Sequence, residues 1–104
     1  MILLTTDTIP GKTIEALGLV SGSMVNSKNV FKDFGAGLKN VIGGELVSYT
    51  KMLSESREEA TNRMVKQAEE LGADAIVAIR FSSSAVTQGA AEILVTGTAV
   101  KIVG

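Results

Sequence analysis

The 104-residue chain has no cysteine, no histidine and no tryptophan, and a single proline. Without cysteine there is no disulfide framework, no thiolate nucleophile and no zinc ribbon. Without histidine there is no imidazole base, no nucleophilic triad of the common type and no imidazole-ligated metal. Three phenylalanines and one tyrosine leave no interleaved stacking platform for single-stranded nucleic acid. Charge of neither sign dominates: 10 Lys and Arg stand against 11 Asp and Glu, so no basic stripe is available to follow a phosphate backbone. The start, Met1–Asp7, lacks a basic n-region and its apolar run is short. No later stretch is long enough to span a bilayer. These absences lead to the expectation of a soluble cytoplasmic protein with neither nucleic-acid nor membrane partners.

What the chain does have is apolar residues, 45% of its length. One domain over residues 1–104 of this size buries roughly 65% of its unfolded surface. Ile2–Thr6 reads as a short strand closed by the turn signal Ile9-Pro10-Gly11. Thr13–Val25 alternates, with Ile14, Ala16, Gly18, Val20, Gly22 and Met24 on one face. Two glycines on that face leave room for a closely packed helix. Val30–Ile42 reads as a short helix weakened by Gly35 and Gly37 and ended by Gly43-Gly44. Glu45–Leu71 carries a helical stripe, Leu46, Tyr49, Leu53, Ala60, Met64, Ala68 and Leu71, with Gly72 placed as a C-terminal cap. Glu59 and Arg63 form a correctly ordered i,i+4 pair.

Ala75–Ser82 reads as a strand with Val77, Ile79 and Phe81 on one face. Ser83–Gly89 reads as a loop. Glu92–Val103 reads as a central strand, apolar on both faces. The fold class is therefore α+β: a β-α-β-β two-layer sandwich whose main strands lie in the order 1-3-2 in an antiparallel sheet. One layer of helix leaves the opposite sheet face bare, and a helix of about 40 Å overhangs a compact domain of this length. Both features predict contact with another copy of the chain.

Few motifs carry chemistry. Gly11-Lys12-Thr13 lacks the first glycine and the following helix of a phosphate-binding loop, so it reads as a turn. Gly35-Ala36-Gly37 has Asn40 where a dinucleotide fingerprint needs its third glycine. Gly43 and Gly44, ahead of the long helix, offer either backbone N–H groups to an anion or a hinge between helices. Arg57 lies in line with the apolar stripe, so it must be paired, reach outward or face a cavity. Tyr49, Glu58 and Asp33 are the residues that can join it in a polar ligand pocket. The alternative is that Arg57 makes a structural salt bridge. No metal ligand set is evident, because adjacent Glu pairs splay around a helix, and Met24, Met52 and Met64 read as core.

The ordered set Thr5-Thr6, Ile9-x-Gly11, Gly18-x-Val20-x-Gly22, Phe31-Lys32-Asp33-Phe34-x-Ala36-Gly37 and Ile42-Gly43-Gly44 resembles the YbjQ-like family. Tyr49, Leu53, Arg57-Glu58-x-Ala60, Met64, Leu71-Gly72-Ala73-Asp74-Ala75 and Gly97-Thr98-Ala99-Val100-Lys101 continue the likeness over nearly the whole chain. The resemblance implies a dodecin-subunit-like fold assembled as a homo-oligomeric ring, a homopentamer. It implies no established activity and names no cofactor. The family's heavy-metal label fits this composition poorly, since soft metals favour sulfur or imidazole donors and methionine thioether is the only soft donor here. The function expected is a non-enzymatic homo-oligomer binding a small ligand or ion at subunit interfaces, through candidates Asp33, Gly43, Gly44, Tyr49, Arg57 and Glu58. The alternatives are an enzyme using carboxylate, Arg and Tyr chemistry on a small anionic substrate, or a purely structural assembly.

Overall fold

The structure, a computed structural model, describes residues 1–26, 42–87 and 90–104. Along the chain run β1 (Ile2–Leu3), β2 (Ile14–Asn26), α1 (Ile42–Glu70), β3 (Ala75–Thr87) and β4 (Ala90–Ile102). The strands form one sheet in the order β1-β3-β4-β2. The three long strands take the arrangement read from the sequence, with β4 central and antiparallel to both neighbours. The expectation of a purely antiparallel sheet is corrected at one edge. There β1 runs parallel to β3, with Ile2 opposite Ala75 and Leu3 opposite Ile76, so the sheet is mixed and four-stranded. The expected strand Ile2–Thr6 is shorter, yet its hydrogen bonding continues. The Leu4 N–H donates to Ile76 O (2.9 Å), the Ile79 N–H to Leu4 O (3.1 Å) and the Ala78 N–H to Thr6 O (2.8 Å). These bonds satisfy backbone groups that an uncovered edge would leave unpaired.

Two bulges re-aim side chains in ways that simple alternation does not foresee. In β2 the register to β4 shifts between Ala16 and Gly18, and in β3 it shifts between Val77 and Arg80. An inserted residue reverses which face each following side chain meets. Ile14 therefore packs away from the helix, against Ala75, Val77 and Val100, whereas Val20 and Met24 pack towards it. The expected single face from Ile14 to Met24 is thus split. In β3 the expected grouping of Val77 with Ile79 is also wrong. Ile79 joins Ile76 beneath the helix, and Val77 points to the other face.

The loop expected over Ser83–Gly89 is mostly strand, because Ser83 pairs with Ile93 and Ser84 with Glu92 in a long hairpin. Hydroxyl side chains suit an edge strand as well as a loop, and only the partner strand decides between them.

α1 spans 29 residues, about 43 Å at 1.5 Å per residue. It begins at Ile42, so Gly43 and Gly44 lie within its first turn and do not separate two helices. The helix expected over Val30–Ile42 lies, apart from Ile42, outside the described residues. Ser56, Ala60, Met64 and Ala68 recur every fourth residue as the buried stripe, with Leu53 and Val65 packed beside it. The expected stripe residue Leu71 is instead 49% exposed. The chain has already turned there in a Schellman cap: Gly72 takes φ +77°, its N–H donates to Glu69 O (3.0 Å), and the Ala73 N–H donates to Ala68 O (3.0 Å).

Small residues let helix and sheet approach. A Cβ placed on Gly22 would overlap the Ala60 carbonyl oxygen and come within 2.7 Å of the Met64 nitrogen. The close-packing reading therefore holds at Gly22. It does not hold at Gly18, where a Cβ meets nothing within 4 Å; that glycine serves the bulge with φ +150°. On either side of Gly22, α1 also caps the free edge of β2. The Ser21 N–H donates to Gln67 Oε1 (3.0 Å), and Arg63 Nη1 donates to Ser23 O (2.6 Å). Arg63 makes the predicted ion pair with Glu59 at 3.2 Å.

The sheet face away from α1 is only partly bare, which corrects the sequence reading. Its proximal end carries a second cluster, Ala75, Val77 and Val100, against which Ile9 and Ile14 pack. Ile9 arrives through the Pro10-Gly11 turn, closed by a hydrogen bond from the Lys12 N–H to Ile9 O (3.0 Å) and with φ +75° at Gly11. That turn leads into the strand β2 and not into a helix, as the reading of Gly11-Lys12-Thr13 as a turn expects. At the same end of the sheet Asp74 ties the helix exit to β4: the Ile102 N–H donates to its Oδ2 (2.8 Å), and Lys101 Nζ stands 3.7 Å from Oδ1.

Candidate functional site

Arg57 lies one position past Ser56, at the margin of the stripe that faces the sheet, and its side chain is exposed. The margin position turns it towards the β3 side of the sheet. There it lines an open cavity of about 160 Å³ with Phe81, Ser82, Ser83 and Ile93. The bulge at Ala78 is what makes this possible. By shifting the phase of β3 it sends Phe81 and Ser83 towards the helix and leaves Ser82 on the other side.

The Arg57 guanidinium donates through Nη2 to Ser54 Oγ at 3.1 Å, and the Arg57 carbonyl accepts from Thr61 Oγ1 at 2.8 Å. No carboxylate pairs with Arg57 among the described residues. The alternative of a structural salt bridge thus has no partner there. One hydrogen bond leaves most of the five guanidinium N–H donors free for an acceptor in the cavity. Phe81, 51% exposed, and Ile93 supply the apolar wall.

The structure brings together only part of the predicted set. Glu58 is on α1, exposed, and does not line the Arg57 cavity. Tyr49 is on α1 with its side chain outside the described part, and Asp33 lies outside the described residues. Gly43 and Gly44 contribute backbone to the first turn of α1. Phe81 and Ser82, read as strand, and Ser83, read as loop, are not among the predicted site residues, because simple alternation does not include the bulge at Ala78 that sets the phase of this part of β3. An exposed aromatic beside a run of three serines was the available signal.

Met64 is buried in the core and Met24 packs against it, as expected, whereas the Met52 side chain lies outside the described part. Among the described residues no three acidic side chains converge. With cysteine and histidine absent from the sequence, the described residues do not fit a heavy-metal centre. No described helix is long and apolar enough to cross a membrane.

A single mixed sheet backed by one long helix, with a short hydroxyl-lined cavity at their margin, defines a small α+β protein. A solved structure of a protein of unknown function of the DUF74 family, from Pediococcus pentosaceus, has the same fold: TM-score 0.70 at 15% identity, over 99% of this chain and 98% of that one. The sequence-family model described as "Putative heavy-metal-binding" matches residues 1–103. A UPF0145 protein of Clostridium novyi is 60% identical over 98% of this chain and 99% of its own. A UPF0145 protein of Methanosarcina acetivorans is 57% identical over 98% and 97%. The chain belongs to this YbjQ family of uncharacterised proteins.

Proposed function

We propose that this protein is a non-enzymatic homo-oligomer that binds a small anion bearing an apolar group at the Arg57 cavity. The observation that carries the reading is a guanidinium with unused donors beside two serines, a half-exposed phenylalanine and an isoleucine. A carboxylate or phosphate oxygen accepts from the planar fork, and the Ser83 hydroxyl, on the same face of the sheet, adds a further donor. A short aliphatic or aromatic tail then covers Phe81 and Ile93. The cavity is small, so the ligand is small.

Self-association is supported by shape and by exposed apolar side chains. The radius of gyration is 17.0 Å, against about 13 Å for a compact domain of this length. Leu19 is 77% exposed on the sheet face away from α1, and among the described residues no strand pairs with the distal half of β3, beyond the reach of β1. A ring of five copies, the dodecin-like arrangement that the family resemblance implies, accounts for both.

Isothermal titration of phenylacetate, with hexanoate and hexanol as comparison ligands, tests the site. The expected result is saturable binding of the two carboxylates, no binding of the alcohol, and at least a tenfold loss in Arg57→Gln. Equal binding of hexanol, or an unaffected Arg57→Gln variant, refutes the assignment. Native mass spectrometry tests the assembly, and a dilute monomer refutes it.

A further inference from the structure

A second cavity lies on the other face of the sheet. It has a volume of about 260 Å³; buried Val77 and Val100 form its floor with Thr98, and Ile14, Ala16 and Ala78 line its sides. Asp7, exposed, stands at the rim. We propose that this cavity is a binding site for a small aliphatic ammonium ion, the alkyl chain lying on the valines and the ammonium on the Asp7 carboxylate.

Three features converge on the same level of β4. Thr98 faces Leu19 on one side and Val77 on the other, and the register breaks close to it on both sides, in β2 opposite Val100 and Ala99 and in β3 between the partners of Thr98 and Thr96. Paired bulges open the sheet locally, and bulges gather where a side chain is re-aimed for function. One of them holds Ala78 at φ +55°, a left-handed conformation that a residue with a Cβ adopts at a cost. The N-terminal segment sustains it, since the Ala78 N–H donates to Thr6 O (2.8 Å) and Arg80 Nη1 donates to Thr5 O (3.0 Å).

Asp7 follows directly in that segment. Thr6 Oγ1 donates to Thr8 O at 2.8 Å, bending the chain across Asp7. Among the described residues Asp7 makes no hydrogen bond and no ion pair. The nearby cations are engaged or lie further off. Arg80 Nη1 is bonded to Thr5 O and Ile79 O, and Lys12, on the following turn, lies beyond ion-pair distance of Asp7. An apolar floor with an unpaired carboxylate at its lip is complementary to an amine with a short hydrocarbon chain. The volume falls below the ~300 Å³ at which drug-sized pockets begin, so the chain is short.

Titration of the full-length 15N-labelled protein with n-alkylammonium chlorides from two to five carbons tests the proposal, with n-pentanol and pentanoate as controls. The amides of Ala16, Val77, Ala78 and Thr98 are expected to shift with the ammonium ions, and each added methylene to tighten binding by about fourfold. Asp7→Asn, at an exposed rim where folding is unaffected, is expected to weaken n-pentylammonium by about fivefold, the size of an exposed ion pair. Absent shifts, pentanol binding as tightly as the ammonium ion, no dependence on chain length, or an unchanged Asp7→Asn variant each overturn the assignment. Because this cavity is on the opposite face from Arg57, Arg57→Gln leaves the result unchanged, and either site can fail alone.

Discussion

Replacing Gly22 by alanine tests how the helix is held against the sheet. The added methyl group would fall on the Ala60 carbonyl oxygen, with the Met64 nitrogen at 2.7 Å. Carbon in ordinary contact stands about 3.5 Å away or more. Both obstacles are helix backbone, so no side-chain rotation relieves them; α1 itself must retreat by roughly 1–1.5 Å. The retreat loosens Ala60, Met64 and Ala68 against Val20 and Val95, an overpacking penalty of about 3 kcal/mol at the upper end of the usual range. It also stretches the two bonds flanking Gly22, from Gln67 to the Ser21 N–H and from Arg63 to Ser23 O, which adds about 1 kcal/mol. The lower chain entropy of unfolded alanine returns about 0.5–1 kcal/mol.

The net loss is about 3 kcal/mol, or a fall in Tm of roughly 12–24 °C for a domain of this size. Urea unfolding followed by circular dichroism, at one fixed protein concentration, measures it. Gly18→Ala is the control. It adds a methyl where a Cβ meets nothing, so its cost of about 1 kcal/mol comes only from φ +150°. If Gly22→Ala is neutral, or costs less than Gly18→Ala, the close approach of α1 is refuted.

Four further outcomes follow. Gly72→Ala is expected to cost about 1 kcal/mol, because the Schellman cap needs φ +77° there; an unchanged midpoint in urea denies the cap its role. Asp74→Ala is expected to lose about 1–2 kcal/mol by orphaning the Ile102 N–H, with Asp74→Asn recovering most of it; equal loss in both variants assigns the effect to Lys101 instead. Arg57→Gln is expected to abolish carboxylate binding with Tm unchanged, since Arg57 is exposed and unpaired by any described carboxylate; calorimetry and thermal melts on the same samples check both halves. Asp7→Asn is expected to weaken alkylammonium binding and leave carboxylate binding intact, which the same calorimeter resolves.

The positions that resisted sequence reading share a cause. Periodicity assigned the long helix to within three residues at its start, and it placed Ala60, Met64 and Ala68 in the core, because a continuous helix keeps one phase. It failed at Leu17 and Ala78, where one extra residue reverses a strand's faces. A bulge leaves no mark in composition, and Ala78, with an ordinary side chain, gives no hint of φ +55°. The Arg57 cavity was half legible. A cation beside an apolar stripe announced itself, whereas Phe81 and the serines took their place only once β3 was paired with β4. Glu58 was attractive as a neighbour in sequence, yet adjacent helical residues point about 100° apart and do not share a site.

By itself, then, the sequence determined the three long strands and the long helix as elements, the antiparallel hairpin of the last two long strands, the helix cap at Gly72 and the exclusion of thiol and imidazole chemistry. All of these depend on local periodicity or on residue inventory. Tertiary structure alone decided that β1 joins the sheet in parallel, that two bulges flank Thr98, that Gly22 and not Gly18 seats the helix, and that the apolar surplus divides between two faces. Those are matters of register between segments distant in sequence. Register is set by which hydrogen bonds and contacts are satisfied together once the segments meet.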